Sequence, residues 1–193
     1  MADQPALALI EYSSIAVGTR ALDALLKRAH VDLLRAGSVQ PGKFAILFAG
    51  DVGSVEESYG EACRIGAEAL TDRVYLPDVH ETVLGAVTGR RGQWANDTLG
   101  IIETETMAAV IDAADAAVKG ASVELVEIRL GDGLGGKGLA HFVGLQADIE
   151  AAIQTGLARL SGRSIKICTA IIPRADDGVL TTQSESTRFG EGW

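Results

Sequence analysis

Apolar residues fall into two kinds of stretch along this chain, short unbroken runs and longer segments with helical spacing, and the two kinds alternate. Ala6 to Glu11 is an apolar run of strand length. After it, Ile15, Leu22, Leu25, Leu26 and Ala29 recur at spacings of three and four, which predicts a helix with one apolar face; Ser13 or Ser14 stands at its N-cap. Val31 to Arg35 reads as a second strand and Gly37 to Lys43, with two glycines and a proline, as a loop. Phe44 to Ala49 is apolar throughout, the pattern of a strand buried on both faces. Gly50-Asp-Val-Gly53 turns the chain, and Ser54 caps a helix with Val55, Tyr59, Ala62 and Ile65 on one side. Val74 to Leu76 is a short strand ending at Pro77, and His80 to Val87 is a short amphipathic piece.

The order then repeats. A shift of 92 positions places Ile10 on Ile102, Glu11 on Glu103, Asp23 on Asp115, Lys27 on Lys119 and Leu33 on Leu125. A shift of 94 continues the match, with Gly42-Lys43 on Gly136-Lys137, Phe48 on Phe142 and Glu56 on Glu150. Such self-similarity marks a tandem duplication. The second copy is expected to run strand, helix, strand (122–130), glycine-rich loop (131–138), strand (139–144), helix (148–160) and strand (164–172). Polar, aperiodic Arg90 to Asp97 links the copies. The predicted class is α/β in the α+β sense: two small domains, 1–91 and 96–178, each with helices on one face of an antiparallel-rich sheet, then a C-terminal tail over 179–193. The last stretch, from Ala175, is rich in Ser, Thr, Gly and acid, with Phe189 and Trp193 as local docking groups. Helices on one face leave the other in need of cover, or of an oligomer.

Composition narrows the function. With 47% hydrophobic and 22% charged residues the 193-residue chain is globular, and its net charge of −9 argues against a nucleic-acid partner, which needs concentrated Lys and Arg. No apolar stretch is long enough to span a membrane, and the N-terminus lacks the pattern of a secretory signal. Cys63 and Cys168 make no disulfide framework, so the cytosol is the default compartment; each is expected to act as a small buried hydrophobe.

No residues are nominated as catalytic, cofactor-binding or metal-ligating. His30, His80 and His141 are scattered, without zinc spacing. Gly131-Asp-Gly-Leu-Gly-Gly-Lys-Gly138 looks like a phosphate cradle, yet it lies between two strands instead of opening a helix. Catalysis is not expected. An alternative that the glycine loop leaves open is a trimeric, small-molecule-binding regulatory protein.

Leu9-Ile10-Glu11 and Ile101-Ile102-Glu103-Thr104, each followed by a helix ending in Asp-x-x-x-Lys, resemble the opening of the bacterial microcompartment shell domain. Gly50-Asp-Val-Gly53 and Ile172-Pro173-Arg174 fit that family too, and the likeness covers residues 6 to 174 twice over. The chain is therefore similar to the tandem-domain shell subunits that form trimers imitating hexamers. The loop Val39-Gln-Pro-Gly-Lys43 is nearest to that of propanediol-utilisation-type subunits. This resemblance implies a structural tile in the shell of a cytoplasmic microcompartment, a homotrimer whose neighbours are hexameric and pentameric subunits. Small metabolites would cross a central pore lined by Ser38, Val39, Gln40, Pro41, Gly42 and Lys43 of one copy and Gly133, Leu134, Gly135, Gly136 and Lys137 of the other. A plainer role for these glycines is to make turns. Lys43 and Lys137 either form a cationic ring or point into solvent, with Asp132 offsetting part of such a field. Lys27, Lys119 and Arg174 fall at the implied tile edge; Lys27 and Lys119 also suit a helix C-terminus, where a cation complements the dipole. Some related subunits carry an iron–sulfur cluster on a cysteine just before Pro-Gly-Lys. Here that residue is Gln40, so no cluster and no other cofactor is expected.

Overall fold

A computed structural model describes residues 6–94, 97–131 and 133–185. The first copy comprises β1 (Ala6–Tyr12), α1 (Ile15–Arg28), β2 (Asp32–Val39), β3 (Lys43–Gly50), α2 (Val52–Ile65), β4 (Leu70–Leu76) and α3 (Glu81–Val87). The second comprises β5 (Thr98–Thr104), α4 (Met107–Gly120), β6 (Glu124–Leu130), β7 (Gly138–Gly144), α5 (Gln146–Arg159), β8 (Ile167–Ile172) and α6 (Asp177–Ser184). Each copy forms an antiparallel four-stranded sheet, in the orders β2-β3-β1-β4 and β6-β7-β5-β8.

β1 is buried along its whole length because both of its faces are covered. Ala6, Ala8, Ile10 and Tyr12 point to one side, where they pack with Phe44, Ile46 and Phe48 against Ala21 and Leu25 of α1 and Val55 and Ala62 of α2. Leu7 and Leu9 point to the other side, into a core that holds the apolar residues of α4. So the first sheet carries its own helices on one face, and the second copy supplies the cover for the other. The equivalent outer face of the second sheet, with Leu99, Val126 and Val143, is covered more thinly, by Ala175 and Leu180 with Trp94 at the border.

Several boundaries move for identifiable reasons. β2 runs on to Val39, because Gly37, Ser38 and Val39 pair with Ala45, Phe44 and Lys43 of β3; the loop shrinks to Gln40-Pro41-Gly42 around a cis Gln40–Pro41 bond. β4 starts at Leu70, ahead of Val74, because its polar residues have partners: Thr71 donates to Glu11 O, and Asp72 accepts from Thr106 and Arg163 of the second copy. The C-terminal stretch contains a helix that its polar composition did not signal. Asp176 caps α6 by accepting from Gly178 N, and Leu180 anchors it, so the boundary drawn at residue 178 falls inside this helix. Phe189 and Trp193 lie outside the described residues. Cys63 is buried as expected, but Cys168 is exposed, because β8 is an edge strand.

Candidate functional site

The two loops singled out in the sequence meet in the structure. The first is a tight turn closed by Gly42 N donating to Val39 O at 2.9 Å, with Gln40, Pro41 and Gly42 exposed at its tip. In the second, Gly131 N donates to Lys137 O at 2.8 Å, and Gly136 N donates back to Gly131 O. Gly131, Gly133, Gly135 and Gly136 all have positive φ, a backbone path that only glycine follows without strain. A Cβ on Gly136 would lie 2.9 Å from Gln40 O and one on Gly131 2.6 Å from Val39 Cγ1, so a side chain at either position would force the loops apart. Val39, Gln40 and Lys43 are thus brought against Gly131 and Gly136. Gly133 and Gly135 stand exposed, Leu134 is half-buried beside them, Ser38 is an exposed residue of β2, and Asp132 lies outside the described residues.

Neither lysine of these loops is a bare cation. Lys43 Nζ lies 3.7 Å from Glu11 Oε2, and Lys137 Nζ lies 2.7 Å from Glu103 Oε1. The glutamates are the equivalent residues of β1 and β5, so the duplication has kept the pair in both copies. Their surroundings differ. Glu103 is partly exposed and holds the Lys137 ammonium above its usual range. Glu11 is fully buried, and its Oε1 accepts from Ala108 N at the start of α4. Burial pushes the Glu11 carboxyl up, against the helix amide and the Lys43 charge that pull it down. Glu11 caps α4 from the other copy, whereas α1 relies on a local cap, Ser14 accepting from Val17 N.

The expected edge residues are not joined to one another by any hydrogen bond or ion pair among the described residues. Lys27 is exposed and, among the described residues, is paired with Asp23 alone, one helical turn away, at 2.7 Å. Its counterpart Lys119 pairs with Asp115 and donates to Asp78 O of the first copy, while Asp115 also accepts from His80 N. Arg174 is exposed at the end of β8, with φ of 48°. Lys119 therefore sits at the junction between copies, and Lys27 holds the matching place on the outer side of the chain.

That junction was largely missed in the sequence. Asp72 of β4 accepts from Thr106 Oγ1 and from Arg163 at 3.1 Å, while Asp112 of α4 accepts from Arg159 at 2.7 Å and Arg163 at 2.5 Å. The available signal was Asp112 and Asp115 within an otherwise apolar, alanine-rich helix, where burial demands partners. Among the described residues no cluster of His, Cys, Asp and Glu could hold a metal, and no helix is long and apolar enough to cross a membrane. The loops offer amide and hydroxyl groups but no thiolate, with Cys63 on α2 and Cys168 on β8 opposite Glu103, a donor set that does not fit an iron–sulfur cluster.

Comparison with known proteins agrees with the doubled architecture. The BMC domain matches residues 6–79 and again 98–175. The chain is 34% identical over 174 residues to the bacterial microcompartment shell protein PduT of Citrobacter freundii, covering 90% of this chain and 95% of that one. PduK, a shell protein of the same organism, is 33% identical over 84 residues, which cover 44% of this chain and 53% of PduK. Among solved structures, a microcompartment protein from Desulfitobacterium hafniense DCB superposes with a TM-score of 0.80 at 40% identity, over 90% of this chain and 97% of that one. A fused, permuted hexameric shell protein of the RMM microcompartment shares the fold, with a TM-score of 0.59 at 20% identity over 80% of each chain. The chain belongs to the BMC-domain family, as a structural subunit of a bacterial microcompartment shell with two BMC domains in tandem.

Proposed function

We propose that three chains close head to tail into a pseudohexameric tile. Its central pore is lined by residues 38–43 of one copy alternating with 133–137 of the other. One observation carries this reading. Four exposed apolar residues of the single chain, Ile15 (45%), Leu26 (47%), Leu33 (41%) and Val179 (38%), correspond through the duplication to Met107, Val118, Leu125 and, by the shift of 96 that sets Leu76 on Ile172 beside Leu7 and Leu99, Val83. Met107, Leu125 and Val83 are at most 5% exposed at the junction between copies, and Val118 packs against the same core. The surface that one copy buries against the other is thus repeated, uncovered, at the chain's two outer ends. A head-to-tail contact of this kind closes into a ring or runs on as a filament. Equivalent packing in a ring seats α1 of one chain on the outer face of the next chain's second sheet, where Glu103 meets the start of α1 as Glu11 meets α4.

The tile is a structural, non-catalytic element that lets small metabolites through and joins other shell tiles along an edge marked by Lys27, Lys119 and Arg174. With amide, hydroxyl and backbone groups at the loop tips, the pore is a polar filter without a redox centre. Each pore lysine stays neutralised by its glutamate, so passage does not select strongly for anions. Light scattering on the purified protein is expected to give a particle of three chains at micromolar concentration, and a stable monomer there would overturn the ring. Iron and acid-labile sulfide are expected to be absent from anaerobically purified protein.

A further inference from the structure

We propose that a cavity between the first sheet and the second copy binds a small carboxylate with a short aliphatic tail. The cavity has a volume of about 250 Å³ and is walled by Leu9, Leu47, Val87, Met107 and Leu130, with Arg35 and Gly37 of β2 along one side. It lies within one chain, with Ser38 and Val39 of the proposed pore loop on its wall.

The second copy shows what this place accommodates when it is full. Arg35 pairs across the sheet with Leu47, and Gly37 with Ala45; the equivalent pairs are Glu127 with His141, and Arg129 with Leu139. In the second sheet the buried Glu127 carboxylate lies 2.7 Å from Arg129, 2.8 Å from Arg91 and 3.1 Å from His141 Nδ1. Arg129 also donates to Gln183 O of α6. A guanidinium–carboxylate pair therefore occupies this face, built from the protein's own side chains.

The first sheet has half of that arrangement. Arg35 supplies a guanidinium, yet among the described residues it has no ion pair or hydrogen bond. Where Arg129 fills space in one copy, Gly37 leaves it empty in the other, and a Cβ placed on Gly37 would meet nothing within 4 Å. Arg35 thus lacks the acid, and beside it lies an apolar slot. A ligand carboxylate completes the pair through the two parallel donors of the guanidinium, and its tail displaces water from Leu9, Leu47 and Met107. A phosphate group suits the place less well, since among the described residues Arg35 is the one cation on its wall and most of the rest is apolar. Met107 and Leu130 come from the second copy, so an occupant is held by both domains, next to the loop that starts at Ser38.

Titration calorimetry of the full-length assembly with hexanoate tests this, with acetate lacking the tail and hexanol lacking the charge. Hexanoate is expected to saturate at one per chain, at least about tenfold more tightly than either comparator. Arg35→Gln, at an exposed position, should weaken hexanoate about tenfold, the value of one charge-assisted contact. Gly37→Leu, at a glycine without positive φ, should fill the slot and abolish binding while the protein melts no earlier. No saturable binding, hexanol binding as tightly as hexanoate, or unchanged affinity in Arg35→Gln would each overturn the proposal. So would binding that appears only in Glu185→Gln, which would show that the acid facing Arg35 comes from a neighbouring chain's tail.

Discussion

α1 and α4 hold the same place in their domains and have the same length, 14 residues, but they meet different surroundings. α1 buries Gly18, Ala21 and Leu25, a single stripe facing its own sheet. α4 buries ten residues around nearly its whole circumference, because its own sheet lies on one side and the first copy's sheet on the other. Duplication places two versions of one element side by side, one with a covalently attached neighbour and one without. Subtracting one from the other maps the contact that a further chain would supply in the proposed ring. The comparison also bears on the alanines of α4: enclosed on both sides, the helix buries five of them beside Met107, Val110 and Ile111.

The sharpest way to break the comparison is to place one charge at both positions. Met107→Asp puts an unpaired carboxylate at a junction position that is 2% exposed, and should cost about 3–5 kcal/mol and leave a poorly folded chain. Ile15→Asp, its counterpart, should change the stability of the single chain by no more than about 0.5 kcal/mol while abolishing the ring. Thermal unfolding paired with light scattering reads both. Equal losses of folding in the two variants would mean that α1 is already enclosed.

A smaller effect is expected at the lysines. Lys27→Asp changes an exposed side chain whose pair with Asp23 is worth under about 1 kcal/mol, so folding and ring should survive while electron microscopy shows sheets lost. Lys119→Asp should also lower the melting temperature, because it opposes Asp115 and Asp78 O at the junction.

The mildest test concerns Glu11 and pH. Its carboxyl is raised by burial above the ordinary value of 4.5, so the folded chain holds this proton more tightly than the unfolded one does. The associated stability is fully present below 4.5 and is lost as pH rises through the folded value. Glu11→Gln keeps an oxygen for Ala108 N but does not titrate. The wild type should therefore gain on this variant as the pH is lowered from neutral toward 4.5 in denaturant titrations. A constant difference between the two would mean that Glu11 is not desolvated.

Much of the architecture was legible because the chain states it twice. Ile10, Phe48 and Phe142 fix central strands by unbroken apolar runs, and the paired Glu11/Glu103 and Lys27/Lys119 fix the register of the copies. The candidate loops were readable from their glycines, since Gly131 and Gly136 need positive φ and close backbone approach. Edge strands were harder. Thr71, Asp72 and Arg73 look like loop because their partners, Glu11 O, Thr106 with Arg163, and the Tyr59 ring, are distant in sequence. The helix from Asp177 hid in a polar stretch, where Leu180 is its only fully apolar anchor to the second sheet. Least visible was the partnership of Lys43 with Glu11, residues 32 positions apart that meet only because β1 and β3 are neighbours in the sheet.

The covering of the first sheet by α4 also has a kinetic meaning. In a ring of six domains made from separate single-domain subunits, every junction must form by encounter. In the proposed ring three of the six are made within a chain, where the tether holds the partner at an effective concentration of about millimolar or above. Ring closure then depends on the third power of protein concentration instead of the sixth, and dilution opens only alternate seams. Each substitution would also appear three times around the proposed axis, so opposite walls of such a pore need not be alike.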